Sequence, residues 1–161
     1  MNAGAWAGAG AGAGPVAGVG VGVGAGVVVG VGVDAVDVAR FRQVLARRPG
    51  VAERVFTDGE RVDAARVRDP AERLAARFAA KEATMKALGR GIGSFAFRDV
   101  EVVRSAEPGA AGGRPSLRLA GDAAALAARC GVAHWHVSMT HTAQVAVALV
   151  VAEGPPPAGG A

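Results

Sequence analysis

Phe78-Ala-Ala-Lys81-Glu82-Ala-Thr-Met-Lys86-Ala-Leu-Gly89 holds both lysines of a 161-residue chain that carries sixteen arginines. The stretch is rich in Ala and ends in Gly, and it reads as the second half of a long helix. That helix starts after Asp69-Pro70, where proline suits the first turn, and stops at Gly89. On a helical wheel Leu74, Phe78, Met85 and Leu88 gather into one stripe, which is expected to be buried. Glu82 lies about 40° from Phe78, so a carboxylate is expected on that stripe. An unpaired buried carboxylate would cost about 3–5 kcal/mol. A divalent cation or an intimate lysine is therefore the expected compensation. The plainer alternative is an i,i+4 pair between Glu82 and Lys86, contributing only about 0.3–0.5 kcal/mol. Ala, Gly, Val, Arg and Pro dominate the rest of the chain. Two lysines in so Arg-rich a sequence mark places where a compact, flexible ammonium serves and a planar guanidinium does not.

Working outward, residues 1–27 are a Gly/Ala/Val-rich stretch with little side chain to bury, expected to be a disordered tail. The stretch lacks the positive start and solid apolar core of a signal peptide, and its Gly-Ala alternation falls short of a membrane span. Residues 28–153 form the single expected domain, and 154–161, rich in Pro and Gly, a second tail. Within the domain a β-branched run from Val27 to Val33 predicts a strand ending at Asp34. Asp37 is placed to cap a helix that carries Arg40, Arg42, Arg47 and Arg48 and stops at Pro49-Gly50. Thr57-Asp-Gly-Glu60 has the form of a capping box for a short helix. Val100–Arg104 and Ser116–Ala120 read as a hairpin around a Gly-rich loop, Glu107–Pro115, expected to be mobile. Asp122 would cap an Ala-rich helix to Cys130, and strands at His134–Thr140 and Ala143–Val151 close the domain. Strands and helices mix without βαβ alternation, so the fold class is α+β: a small antiparallel sheet packed against one long helix and shorter helices.

A net charge of +4 with a pI near 10.5 suits nucleic acid, an acidic protein or a polyphosphate substrate equally well. Aromatic residues make up only 4% of the chain and are not interleaved with the arginines, which argues against a base-stacking surface. The lone Cys130 excludes an intrachain disulfide or a Cys-rich metal site and fits a reducing cytoplasm. Asp34, at a strand end, supplies a second hard oxygen besides Glu82. Two carboxylates completed by water and substrate phosphates are the usual way to hold Mg²⁺. His134, His136, Ser138 and Thr140 share one strand face, with Trp135, Val137 and Met139 on the other. A zinc site on the two histidines lacks a third ligand. His141 and Thr142 fall at the following turn, where they can donate to an anion.

Four segments together resemble the holo-acyl-carrier-protein synthases, the short type of 4′-phosphopantetheinyl transferase. They are Gly30-Val-Gly-Val-Asp34 with Arg40, Arg77-Phe-Ala-Ala-Lys81-Glu82-Ala83 with Lys86-Ala-Leu-Gly89, Gly113-Arg-Pro115, and His136-Val-Ser-Met-Thr-His141. The resemblance implies the family's fold and a Mg²⁺-dependent transfer of phosphopantetheine from coenzyme A to a serine of apo acyl carrier protein, a step of fatty acid biosynthesis. It implies that Asp34 and Glu82 hold the metal and that Lys86, with Lys81, contacts the pyrophosphate. By the same resemblance Arg77, His141 and Thr142 bind the 3′-phosphate, Gly89 and Gly91 admit the coenzyme to the backbone, and Pro115 lies beside the adenine. Glu82 and Lys86 would be the catalytic pair. The serine proton would go to Glu82 through a water, or to an acidic residue of the carrier protein. Arg40 and Arg47 would meet the acidic carrier protein, and the assembly would be a homotrimer with coenzyme A between neighbouring subunits. Thr84-Met85, where relatives often have an aromatic residue, and the absence of Tyr after the His turn depart from the pattern. The competing reading is a non-catalytic Arg-rich module for nucleic acid or an acidic protein.

Overall fold

The computed structural model describes residues 26–104 and 113–156. The expected tails at 1–25 and 157–161, and residues 107–112 of the Gly-rich loop, lie outside the described residues. In chain order the elements are β1 (Val27–Asp37), α1 (Val38–Arg47), α2 (Gly50–Val55), α3 (Asp58–Ala64), α4 (Pro70–Ala87), a 3-10 turn (Phe97–Asp99), β2 (Val100–Arg104), β3 (Pro115–Leu119), α5 (Gly121–Arg129), β4 (His134–His141) and β5 (Val145–Gly154). The sheet order is β1-β5-β4, all antiparallel, and β2 pairs with β3 as a separate antiparallel hairpin. The expected α+β class is observed.

Local chemistry sets the helix ends. Asp37 accepts the Arg40 N–H at 2.7 Å and starts α1. Thr57 and Glu60 form the reciprocal capping box of α3. Asp69 accepts the Ala71 N–H at 3.0 Å, with Pro70 in the first turn of α4. At the far end of α4, Gly89 adopts φ +65, its N–H reaches Lys86 O at 2.9 Å, and the Arg90 N–H reaches Met85 O at 2.9 Å. This is the paired-bond stop for which glycine is the favoured residue.

β1 and α4 touch through their backbones. A Cβ on Gly30 would lie 1.9 Å from Ala87 O, and one on Gly32 would lie 1.9 Å from Ala83 O. Only glycine fits such an approach. Strand alternation then puts Asp34 on the same helix-facing side, delivered to the C-terminal half of α4. From β5, Ala146, Ala148, Val150 and Ala152 also face the helix, and all four are buried. On the opposite sheet face Val31 and Val33 are each 56% exposed and Leu149 is 44% exposed. Four phenylalanines brace the other side: Phe41 lies 5.4 Å from Phe78 and 6.3 Å from Phe56, and Phe78 lies 5.3 Å from Phe97, between ring centroids.

Several expectations are corrected. β1 continues through Asp34 to Asp37 because it keeps pairing with β5 as far as Val145. The Arg-rich helix does stop before Pro49-Gly50, as expected, but a further short helix follows at once with Pro49 at the N-cap of α2. Asp122 lies in the first turn of α5, whose N-cap is Ala120 without a side-chain bond. The sheet begins at Val27 and ends at Gly154, which pair with each other, one residue beyond each expected domain limit. The wheel stripe was too narrow. α4 is covered on several sides, so that Ala75, Ala76, Ala79, Ala80 and Ala83 are buried along with Leu74, Met85 and Leu88, while Phe78 and Glu82 are only half-buried.

Candidate active site

Asp34, Glu82 and Lys86 come together where β1 crosses the last turns of α4. Lys86 Nζ donates to Asp34 Oδ1 at 2.8 Å and to Val33 O at 3.0 Å. Burial pushes the Glu82 carboxyl above its usual range, and the negative charge of Asp34 pushes it further, with Lys86 partly offsetting both. The hydrogen bond to Asp34 likewise holds the Lys86 ammonium above its ordinary value. Two hard oxygen donors whose mutual repulsion a positive charge relieves are a donor set that fits a small divalent cation. No third His, Cys, Asp or Glu joins them among the described residues. The remaining ligands would come from water and substrate.

A second group gathers at the other edge of the sheet. Arg77, Pro115 and His141 line one cavity of about 320 Å³ together with Arg73, Arg104, Met139 and Thr140. Arg77 is buried and bonded to Asp63, yet its Nε has no hydrogen-bond partner among the described residues. Burial draws the Arg77 guanidinium below its ordinary value. A further cavity of about 720 Å³, lined by Arg42, Arg68, Asp69, Glu72, Arg73 and His141, shares Arg73 and His141 with the first. Sequence reasoning missed Arg73, although its i,i+4 spacing from Arg77 puts both on one side of α4. It also missed Arg104, which β2 brings from a distant part of the chain.

The remaining expected residues are dispersed. Lys81 points into the core. Its Nζ lies 2.8 Å from Glu60 Oε2 and donates to Phe97 O at 2.9 Å and to Val100 O, with both charged side chains fully covered. Glu60 in turn accepts the Thr57 N–H at 2.9 Å and the Val102 N–H at 3.0 Å. Burial lowers the Lys81 ammonium, against the raising effect of Glu60. The expectation that Lys81 contacts pyrophosphate or steadies Glu82 is corrected: its carboxylate is Glu60, and in this structure it presents no atom to the surface. Thr142 uses its hydroxyl to accept the Gln144 and Val145 N–H groups of the turn, at 3.2 and 3.1 Å. Gly89 makes the helix stop, and Gly91 is exposed with no atom within 4 Å of a would-be Cβ. Arg40 and Arg47 are exposed on α1. His136 meets Glu153 at 2.7 Å and forms no zinc site among the described residues.

An antiparallel sheet laid glycine-first against a long helix, with two carboxylates and a lysine at the crossing and a cationic cavity beyond, has the features of an enzyme that handles phosphates. A family model described as the 4′-phosphopantetheinyl transferase superfamily matches residues 30–150. The holo-[acyl-carrier-protein] synthase of Frankia casuarinae is 58% identical over 121 residues, covering 75% of this chain and 93% of that protein. Among solved structures, the holo-(acyl-carrier-protein) synthase of Bacillus anthracis in complex with CoA (3′,5′-ADP) is 33% identical, with a TM-score of 0.63, over 79% of this chain and 97% of that one. The Helicobacter pylori enzyme in complex with coenzyme A is 28% identical, with a TM-score of 0.65, over 76% and 98%. The chain belongs to the holo-[acyl-carrier-protein] synthase family of 4′-phosphopantetheinyl transferases. It is an enzyme, so the reading as a non-catalytic Arg-rich module is set aside.

Proposed function

We propose that this chain transfers the 4′-phosphopantetheine group of coenzyme A to a serine hydroxyl of an apo acyl carrier protein of fatty acid synthesis, releasing adenosine 3′,5′-bisphosphate. It would do so with Mg²⁺, as a homotrimer, in the cytoplasm. The observation that carries the reading is the meeting of Asp34, Glu82 and Lys86 at the β1–α4 crossing. Relatives solved with coenzyme A bound support the choice of substrate.

Asp34 and Glu82 would hold the cation, which supplies charge neutralisation at the pyrophosphate as the leaving group departs. Lys86 donates to a pyrophosphate oxygen; two unit charges about 4 Å apart at an effective dielectric near 20 interact by about 4 kcal/mol. The serine oxygen forms the new bond to phosphorus as the bond to the departing bisphosphate breaks. Glu82 Oε receives the serine proton through a water. An acidic residue of the carrier protein is the alternative base. Arg77 and His141, which line one cavity, take the 3′-phosphate, Thr142 holds the turn that presents His141, and Pro115 lines the same cavity toward the adenine. Gly89 and Gly91 keep the backbone after α4 open to the coenzyme.

Asp34 lies on edge strand β1 opposite Ala148 of β5, and His141 lies on edge strand β4 opposite Ala146, so the two are about 12 Å apart across and along the sheet. The exposed Val31, Val33 and Leu149 support an assembly, read here as a trimer with the coenzyme between neighbouring subunits, in which this sheet face is covered. Arg40 and Arg47, exposed on α1, would steer the acidic carrier protein. No helix among the described residues is long and apolar enough to cross a membrane.

Incubation with coenzyme A, Mg²⁺ and apo acyl carrier protein, followed by intact-mass measurement of the carrier protein, tests the reading. A gain of one phosphopantetheine group is expected. An unmodified carrier protein in the presence of folded enzyme would overturn it.

A further inference from the structure

Lys86 rests on β1. Two of its three ammonium N–H groups go to Asp34 Oδ1 at 2.8 Å and Val33 O at 3.0 Å. The Asp34 side chain is 11% exposed and the Lys86 side chain 51% exposed. The carboxylate is thus fixed by its strand, whereas the ammonium sits on a stem that can swing into solvent. Asp34 is also one of the two oxygen donors of the cation site set out above, and Glu82 is one turn before Lys86 on α4. Lys86 holds Asp34 through Oδ1, so a divalent cation arriving at the same carboxylate would stand within a few ångströms of the ammonium, and like charges at such a separation repel strongly.

We propose that Lys86 is a placeholder for the cation: its Nζ neutralises Asp34 until a divalent cation binds Asp34 and Glu82, and it then swings off the strand to the coenzyme's pyrophosphate. One positive charge thereby serves two partners in sequence. The cation binds before Lys86 is available to the coenzyme, so cation and coenzyme engage in order. The exchange accounts for a lysine at this position in an Arg-rich chain. A guanidinium fork would grip the Asp34 carboxylate through two bonds and let go less readily. The inference rests on the cation and coenzyme reading above and deepens it.

Mn²⁺ binding by the full chain without coenzyme, followed through the electron paramagnetic resonance of the free ion, tests the exchange. Lys86→Met is expected to bind Mn²⁺ about 5- to 10-fold more tightly than the natural chain, the equivalent of losing one charge-assisted competitor. Lys86→Arg is expected to bind no more tightly than the natural chain. Loss of a distant positive charge could also tighten binding, so a second measurement is needed. In protein labelled with ¹³Cε-lysine only two lysine signals arise. Saturating Mg²⁺ is expected to move the Lys86 signal to the position it takes in Asp34→Asn and to leave the Lys81 signal in place. Equal Mn²⁺ affinity in the natural chain and Lys86→Met, or a Lys86 signal that saturating Mg²⁺ leaves unmoved, would overturn the placeholder and leave the cation site standing. Absence of Mn²⁺ binding in the natural chain, Lys86→Met and Glu82→Gln alike would overturn the cation site itself, and the placeholder with it.

Discussion

Lys81 enters the core from α4 with its side chain fully covered, whereas Lys86, five residues later and about 140° around the same helix, keeps half of its side chain in solvent beside Asp34 and Glu82. Each has a carboxylate at 2.8 Å. The difference lies in what else surrounds them. Around Lys81 the partners are complete: Glu60 and the carbonyls of Phe97 and Val100 take its donors, and the Phe56 ring lies 5.6 Å from its Nζ. That closed network ties α3, α4 and the start of β2 together. Around Lys86 two carboxylates face one ammonium, and burial and Asp34 keep the Glu82 carboxyl raised. The site has more negative than positive charge to balance and is open to a further cation. On the proposed function Lys81 is structural and Lys86 works at the site.

The sharpest way to break this comparison is to exchange consequences between the two residues. Lys81→Met leaves Glu60 buried without its cation and is expected to cost about 3–5 kcal/mol in urea unfolding, while Lys81→Met with Glu60→Leu should recover much of it. If Lys81→Met alone were as stable as the natural chain, the closed network would not be holding α4. Gly32→Ala probes the contact on which the open site depends. Its Cβ would fall 1.9 Å from Ala83 O, so β1 must move off α4 and carry Asp34 away from Glu82. A stability loss of about 1–3 kcal/mol is expected, together with weaker Mn²⁺ binding. Unchanged Mn²⁺ affinity would show that Asp34 does not need this packing.

Lys86→Met should slow transfer by about 10- to 100-fold, assigned to the coenzyme contact, yet change stability by less than about 1 kcal/mol, as expected for a half-exposed pair. Parallel losses in stability and rate would erase the distinction between the two lysines. The smallest effect concerns pH. The folded Glu82 carboxyl is raised above its ordinary value of 4.5, so the native state binds this proton more readily than the unfolded chain does. Stability contributed by this group is full below pH 4.5 and is lost as pH rises through the folded value. Without added cation, Glu82→Gln is therefore expected to melt slightly higher than the natural chain at pH 7–8, and the gap should close as the pH is lowered below 4.5. Thermal melts across that range would check the sign.

The contrast also marks what the sequence carries. The ends of α4, the capping box of α3 and the Asp37 cap depend on short-range chemistry and are legible, whereas Asp34, 52 residues from Lys86, is linked to the Lys-Glu helix only as a second hard oxygen donor and through the family resemblance. The partner of Lys81 is not legible. Glu60 already answered to the capping box through its contact with the Thr57 N–H, and nothing nearby in sequence signals that the same carboxylate turns inward to a lysine 21 residues later. The burial of Glu82 was overstated for a related reason. A wheel assigns one buried stripe, but α4 is enclosed by the sheet and a second core built from β2 and α5, and its alanines supply much of the contact. Which residues share the cavity at Arg77 depends on β2, β3 and β4 converging, information that no local pattern contains.

On the proposed function Glu82 and Asp34 together hold the cation that transfer needs. Intact-mass measurement of apo acyl carrier protein after incubation with coenzyme A, Mg²⁺ and Glu82→Gln tests it most directly, with the variant's fold checked by its melt. The expected result is a folded variant whose transfer rate is lower than that of the natural chain by about 100-fold or more. A folded Glu82→Gln that converts the carrier protein at the natural rate would contradict the account.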